Sequence, residues 1–596
     1  MMKNNFFVAT LFMLMKSVGV LQPLNYADLV TEQSHPKTKN LSSILIHNTQ
    51  DGLRLLNDID YEVISSLRVF QIGQYQTVVM QITKTIQEGG RVFFLGSGSS
   101  GRIALNLAAQ WNELCKKLSD SKFGEYQDRV IGIIAGGLRA FIRAKEGFED
   151  SEQEGKLALT LRNLKANDTV FLLSASGSAA FNHGAAIAAL QCGARCFHVL
   201  NVPETLPQAE ALFAQGIIPV KIVTQPQAIK GSTRLQAATA THVALGMTLL
   251  AVADQLTSKQ NTAQKIADQL ITDFENACLQ IRTIIPSIEA IVQQVVEVLS
   301  SPQANFRKLK DQADCGYVTY LGMNFLREII TDSVELSPTF SINPTRGCLE
   351  AGKRPEFRAF ILGAGCNTDA WQQLCNRMLT REELEDVSDI ILGGGNQAGQ
   401  ESFLVRPVGK GNIVIAVVSD ADDQQIIENA ILQVQQKGAQ IAMIRISSAL
   451  QLDQLKKQVG VSLFLGGISS TFIQSMATKQ ILNLISNAAM IKMGKVCGNL
   501  MIDVCASNKK LFDRTVRIIR EVYAMQAPEQ VVPSYNEVSV IVEKVQAQRK
   551  FIETTQSIYV PSTVKIVSVM LLKNLSFQEA VDCLTGYEEN LDRILN

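Results

Sequence analysis

The chain has 596 residues, room at roughly 150 per domain for three or four domains or for a duplicated unit with an addition. Apolar residues make up 46% and charged residues 19%, the composition of a soluble globular protein with sizeable cores. Lys plus Arg and Asp plus Glu both total 56, which excludes a polybasic binder of nucleic acid or of an anionic membrane while leaving room for a local basic pocket.

In chain order, residues 6–15 form an apolar run between Lys3 and Lys16. The run imitates a signal peptide, but Lys16 interrupts it early and the small-residue cleavage pattern is poor. A cytoplasmic protein is expected. Residues 1–42 show little periodicity, and 31–40 read as an extended polar stretch. Helical patterning runs from about 53 to 87 and stops at Gly89-Gly90. A strand at 91–96 meets a Gly/Ser turn and then an apolar helix at 102–115. Further strands are expected at 129–137, 168–178, 195–201 and 219–224, with an Ala-rich helix at 179–191. Strands alternating with helices predict an α/β fold with a doubly wound parallel sheet. Helices dominate 232–299, yet no stretch supplies the ~18 consecutive apolar residues of a membrane span.

The order then begins again. Residues 316–335 repeat the strand, glycine and helix of 91–110, and 412–447 repeat 168–201 at nearly the same spacing. So long a period means an internal duplication of an α/β unit, not a solenoid. From about 490 the pattern is helical to the end. The expected divisions are an N-terminal segment 1–42, a first α/β domain 43–290, a second 291–490 and an all-helical part 491–596.

Eleven dispersed cysteines read as reduced thiols. Cys192, Cys196 and His198 cluster where a helix turns into a strand, but strand alternation should scatter them over two faces. Buried thiols are expected there, with no metal site and no organic cofactor.

The turn after the first strand is Gly96-Ser97-Gly98-Ser99-Ser100-Gly101-Arg102. Its glycines permit close backbone approach, and the helix behind it offers unpaired N–H groups to an anion. No Walker lysine follows, and the glycine spacing alone is a weak dinucleotide signal. The serines Ser99 and Ser100 favour a phosphomonoester. The turn after the third strand, Ser174-Ala175-Ser176-Gly177-Ser178, brings more hydroxyls to the same carboxyl edge of the sheet. In the second copy, 322–327 has no serine, and Ser419-Asp420-Ala421-Asp422-Asp423 places three carboxylates where an anion would sit. One competent pocket and one structural copy are expected.

These turns, with TEQSHPKT (31–38), LGSGSSGR (95–102), KEGFEDS (145–151), KGSTRLQAATAT (230–241) and MGKVCGNLMIDVCASNKKLFDR (493–514), resemble the sugar isomerase (SIS) domain superfamily. The resemblance is to the branch joining N-acetylmuramic acid 6-phosphate etherases and the glucokinase regulatory protein. Length and duplication place the chain beside the latter, implying two tandem SIS domains followed by a helical lid. The resemblance further implies that Gly98, Ser99, Ser100, Ser174, Ala175, Ser176 and Ser178 hold the phosphate and sugar. It implies that Glu149 contacts the sugar (the general base in etherases), that Lys510 reaches the ligand from the lid, and that Glu335 enters from the second SIS domain. Arg234, in the family's phosphate-side motif, is expected either to bind ligand or to cap its own helix.

One departure concerns catalysis. Etherases carry a second glutamate eight residues beyond the arginine of the first loop; here that position is Gln110. An amide cannot donate the proton a lactyl leaving group needs, and losing a general acid costs about 10²–10⁴ in rate. The internal counterpart of Gln110, Arg327 plus eight, is Glu335, so the fused chain retains one candidate acid. The preferred expectation is a sensor for a fructose-6-phosphate-like ligand that inhibits a sugar kinase, acting as a monomer whose SIS copies pair with each other. The alternatives are an etherase with Glu149 as base and Glu335 as acid and, more distantly, an aldose–ketose isomerase using Glu149. Kinase docking is implied by analogy alone, because residues 567–580, at the place of the docking surface, read equally as one face of a packed helix.

Overall fold

The computed structural model describes residues 25–118, 122–143, 145, 147–257, 262–300, 316–342, 356–394, 408–449, 461–506, 508–556, 560–586, 591 and 594. The apolar run 6–15 lies outside them. The segment expected to be extended is wound into three short 3-10 turns, Tyr26–Asp28, Val30–Glu32 and Pro36–Thr38. Helices α1 (Leu41–His47), α2 (Thr49–Tyr61), α3 (Val63–Gly73) and α4 (Tyr75–Gln87) follow. The helical region therefore opens at Leu41, and the division expected at 42 falls inside α1.

The first α/β unit runs β1 (Val92–Gly96), α5 (Gly98–Lys117), β2 (Val130–Ile134), α6 (Glu152–Thr160), β3 (Thr169–Leu173), α7 (Ala180–Cys192), β4 (Arg195–Leu200), α8 (Pro207–Phe213) and β5 (Ile218–Lys221). Its sheet is wholly parallel, in the order β2-β1-β3-β4-β5. Both faces are covered, which is why the strands read as continuous apolar runs. On one face Phe94, Phe171 and Phe197 stack at centroid distances of 5.2 and 4.9 Å. On the other, Phe93, Leu95, Val170 and Leu172 pack with the small Ala185 and Ala189 of α7.

Helices α9 (Gln236–Leu256), α10 (Ala263–Thr283) and α11 (Ile285–Ser300) lead to the second unit. That unit contains β6 (Tyr317–Gly322), α12 (Leu326–Phe340), β7 (Glu356–Ile361), α13 (Asn367–Cys375), α14 (Arg381–Asp386), β8 (Ile413–Ser419), α15 (Gln424–Gln436), β9 (Gln440–Ile446) and β10 (Val461–Leu465). Its strand order, β7-β6-β8-β9-β10, is that of the first sheet strand for strand. The duplication is thus one of topology as well as of sequence. Next come α16 (Thr471–Lys492), a small hairpin of β11 (Val496–Cys497) and β12 (Leu500–Met501), and helices α17 (Lys509–Gln526), α18 (Tyr535–Gln556), α19 (Thr563–Lys573) and α20 (Phe577–Gly586). In α19, Val564, Ile566, Val567 and Val569 are all fully buried, so its apolar residues form a packed face.

One hydrophobic core runs between the sheets, joining Phe94 and Phe171 of the first to Val318 and Ile415 of the second through α9, α11 and α16. Helix α9 is long and apolar enough to cross a bilayer, but 94% of its apolar window is buried inside the protein. Because α11 and α16 serve both halves, the divisions expected at 290 and 490 fall inside helices. On β4, Cys196 and His198 are two residues apart and share a face, contrary to the expected scatter. Cys192 instead donates its thiol to the Leu164 carbonyl at 3.1 Å. Among the described residues no three His, Cys, Asp or Glu side chains are grouped to hold a metal ion.

A buried polar network crosses the halves. Arg234, in the loop before α9, donates to Asp332 of α12 at 2.8 Å and to Asn487 of α16 at 2.5 Å. Asp332 also accepts from Asn483 at 2.6 Å and Ser486 at 3.0 Å. The paired side chains are 3% and 0% exposed. Asp332→Ala should therefore leave a buried guanidinium without its counter-charge and cost about 3–5 kcal/mol, read as a lowered urea midpoint with an unchanged slope.

Candidate functional site

Residues on β1 and β3 pair so that Gly96 and Leu173 lie side by side. The turns that follow them, 97–100 and 174–177, therefore emerge together at the carboxyl edge, where the strand order reverses. Two glycines shape the first turn. Gly98 has φ +51° with open space around its Cα, and a Cβ on Gly101 would lie 2.5 Å from the Gly96 carbonyl oxygen. Helix α5 consequently starts at Gly98, four residues earlier than the apolar pattern indicates, and the serines Ser99 and Ser100 occupy its first turn. Ser97 stands at the cap position, but no side chain caps the helix, so its first N–H groups are open to a ligand.

A cavity of about 170 Å³ sits over this turn. Gly98, Ser99, Ser100, Ser174 and Ala175 line it, with Glu149 from the loop beyond β2, Arg234, Glu335 from α12 and Lys510 from α17. Nine expected residues from three parts of the chain thus meet in one place. Two do not. Ser176 is 1% exposed and its hydroxyl is engaged with that of Ser178 at 2.8 Å, so both lie behind the turn, outside the cavity lining. The reason is local: Ser174 Oγ accepts from the Gly177 N–H at 2.9 Å, which closes the turn and turns Ser176 inward.

The charged groups are organised in layers. Arg102, 1% exposed, donates to the carbonyls of Ala140 and Phe141, each at 3.0 Å, and to the carboxylate of Glu335. Arg234 lines the cavity, but its guanidinium is held by Asp332 and it does not cap α9. Glu149 accepts from Asn508 Nδ2 at 3.3 Å, and Asn508 Oδ1 in turn caps α17 at 2.9 Å from the Leu511 N–H. Sequence reasoning missed Ser97, Lys145, Ser232, Asn508 and Arg514, all in the lining. Arg514 stands one helical turn beyond Lys510 on α17, a spacing that would have revealed it. The hydroxyls of Ser97 and Ser232 are buried without a partner, an expensive condition that a hydrogen-bonding ligand relieves.

The N-terminal segment anchors this lid. Glu32, 1% exposed, accepts from Arg514 at 3.0 and 2.5 Å and from Arg517 at 3.1 Å. Burial alone would raise the Glu32 carboxyl, but the guanidiniums outweigh it and hold the group down to about 2. In the second copy the three carboxylates are not bare. Asp420 accepts from Ser447 at 2.7 Å and the Ser448 N–H at 2.8 Å, Asp422 from Asn324 at 2.6 Å, and Asp423 caps α15 at 2.9 Å.

The model of the glucokinase regulatory protein N-terminal SIS domain matches residues 74–190. The N-acetylmuramic acid 6-phosphate etherase of Bacillus subtilis (strain 168) is 33% identical over 233 residues, 39% of this chain and 70% of that enzyme. That of Crocosphaera subtropica is 33% identical over 219 residues, 37% of this chain and 66% of the enzyme. Among solved structures, tagatose-6-phosphate ketose/aldose isomerase from Escherichia coli superposes over 74% of this chain and 92% of its own, with a TM-score of 0.40 and 9% identity. A likeness that loose carries no argument about the site.

The Glu32 anchor has a pH signature. Its folded carboxyl lies below the ordinary 4.5, so its stabilisation is complete above about 4.5 and is lost as pH falls toward about 2. The melting temperature of the wild type should exceed that of Glu32→Gln at neutral pH, and the gap should close across that acid window.

Proposed function

The chain belongs to the SIS-domain family that takes in the N-acetylmuramic acid 6-phosphate etherases, and we propose that within it this protein is a phosphosugar sensor. The phosphate sits on the first turn of α5, against Ser97, Ser99 and Ser100, with Lys510 supplying positive charge. The sugar, of the fructose-6-phosphate type, extends toward Glu149 and Glu335. Because Asn508, Lys510 and Arg514 come from α17, occupancy favours one position of the helical lid, provided the two lid positions bind ligand with different affinity.

The observation that carries this reading is the fate of the two positions at which a general acid would stand. Gln110 does not line the cavity, and Glu335, which does, is committed to the buried Arg102 guanidinium. Its carboxylate is a structural partner across the two halves. The regulatory part of the proposal is that the lid presents a surface to a sugar kinase in the cytoplasm. Exposed Met525, Val531 and Phe551, at 51%, 91% and 64%, give that surface apolar anchors on and between α17 and α18. The two SIS units already bury their helical faces against each other, so the active species in this proposal is a monomer.

A second reading keeps one specific support, that Glu149 and Glu335 line the same cavity. As a lyase, the protein would use Glu149 to take the C2 proton of an opened N-acetylmuramic acid 6-phosphate. The electron pair would form the new double bond as the lactyl C–O bond breaks, with Glu335 giving the departing oxygen its proton. Lactate release separates the two. The sensor should give none, whereas turnover abolished by Glu149→Gln would establish the lyase. Fructose 6-phosphate at about 100 times its Kd should stabilise the wild type by ~2.7 kcal/mol in thermal melts. Ser100→Asp, which puts a carboxylate beside the phosphate, should remove that shift; a full response in the variant would refute the phosphate assignment.

A further inference from the structure

The second sheet has a cavity of its own, about 660 Å³ in volume, at the place corresponding to the first. Two helices connect them. Helix α5 begins with Ser99 and Ser100 in the first cavity and carries Asn106 and Gln110 into the second. Helix α12 begins with Arg327 and Glu328 in the second and reaches Glu335 and Thr339 in the first. Gln110 and Glu335 are therefore exchanged equivalents, each facing the cavity of the opposite half.

The polar groups of the second cavity are unpartnered in a distinctive way. Both amide atoms of Gln110 are buried without a hydrogen bond, as are Asn106 Oδ1 and Glu328 Oε2. Asn106 and Glu328 are each 3% exposed. Burial raises the Glu328 carboxyl, against the opposing pull of Arg327 and a hydrogen bond with Ser475. Burial also takes His242 down to about 3, leaving its imidazole neutral. Arg327 and Lys117 share one carboxylate, Glu113, at 3.2 and 2.7 Å. Asp420 contributes a carboxylate that, although partial burial opposes it, hydrogen bonds from Ser447 and Ser448 keep below its usual range.

Asp420 is paired with Arg445 at 3.3 Å, and Glu113 and Asp420 match Arg327 and Lys117 in number, so these lining groups hold no surplus positive charge to draw an anion. A hydroxyl-rich neutral molecule would instead satisfy the primary amide of Gln110, the Asn106 carbonyl oxygen and Glu328 Oε2, all of which are buried without a partner. The volume is within the range of small-molecule sites. We propose that the second cavity binds an uncharged sugar, an unphosphorylated hexose or N-acetylhexosamine, so that the chain carries one site for an anionic sugar and one for a neutral sugar.

The test is isothermal titration of the full chain with glucose and N-acetylglucosamine, each beside its 6-phosphate. At least one neutral sugar should bind wild type and Ser100→Asp alike, and bind Gln110→Leu about tenfold more weakly or worse, through loss of both amide contacts. Without sugar, Gln110→Leu should melt no lower than wild type, because it removes two idle polar atoms. Gln110→Met, which keeps the length and flexibility of the side chain, should reproduce the loss. Binding by neither neutral sugar overturns the proposal, as does binding that survives both Gln110 variants or disappears in Ser100→Asp. The phosphosugar reading stands or falls separately, on the response of the Gln110 variants to the 6-phosphates.

Discussion

Everything at the candidate site depends on how charge is buried between the two α/β units. Arg234 and Asp332 are both sealed from solvent and belong to opposite halves. Either one alone would be a desolvated charge, a cost of several kcal/mol, so the halves are held in a single register. That register brings Glu335 to the buried Arg102, and Arg102 in turn fixes the carbonyls of Ala140 and Phe141 at the cavity's edge. The first unit supplies the Gly/Ser turn that floors the cavity. The second supplies the wall that gives it depth.

The parallel architecture was legible because strands covered on both faces must be apolar at every position; 91–96 and 412–419 carry no competing helical period. The duplication was legible for the same reason, and so was the Gly/Ser turn. Other features depended on information that local pattern does not carry. The start of α5 was placed too late because Gly98 and Gly101 have poor helix propensity, which tertiary contact with β1 and β2 overrides. The sequence around Arg234 fits capping and ligand binding equally, whereas Asp332, 98 residues away in sequence, holds its guanidinium. Ser176 and Ser178 were assigned by proximity to Ser174, but a turn reverses side-chain direction within two residues. Helices α11 and α16 pack in the core shared by both halves, and no linker composition marks a shared helix.

The lid is tied down both at the cavity's edge and away from it. Glu32 grips Arg514 and Arg517 from the N-terminal segment, and Asp503 is paired with Lys495 at 2.7 Å and Lys565 at 3.0 Å in a buried cluster. Only the start of α17 faces ligand. The anchors hold the start of α17 against the cavity while the body of the helical part stays packed.

The exchange of α5 and α12 between cavities has an evolutionary corollary. In an assembly of two identical chains any substitution is written twice, so both pockets must tolerate it at once. Joining the copies in one polypeptide removes that constraint. Gln110 and Glu335 differ here while occupying mirror positions, and each half is free to acquire a chemistry its counterpart does not share.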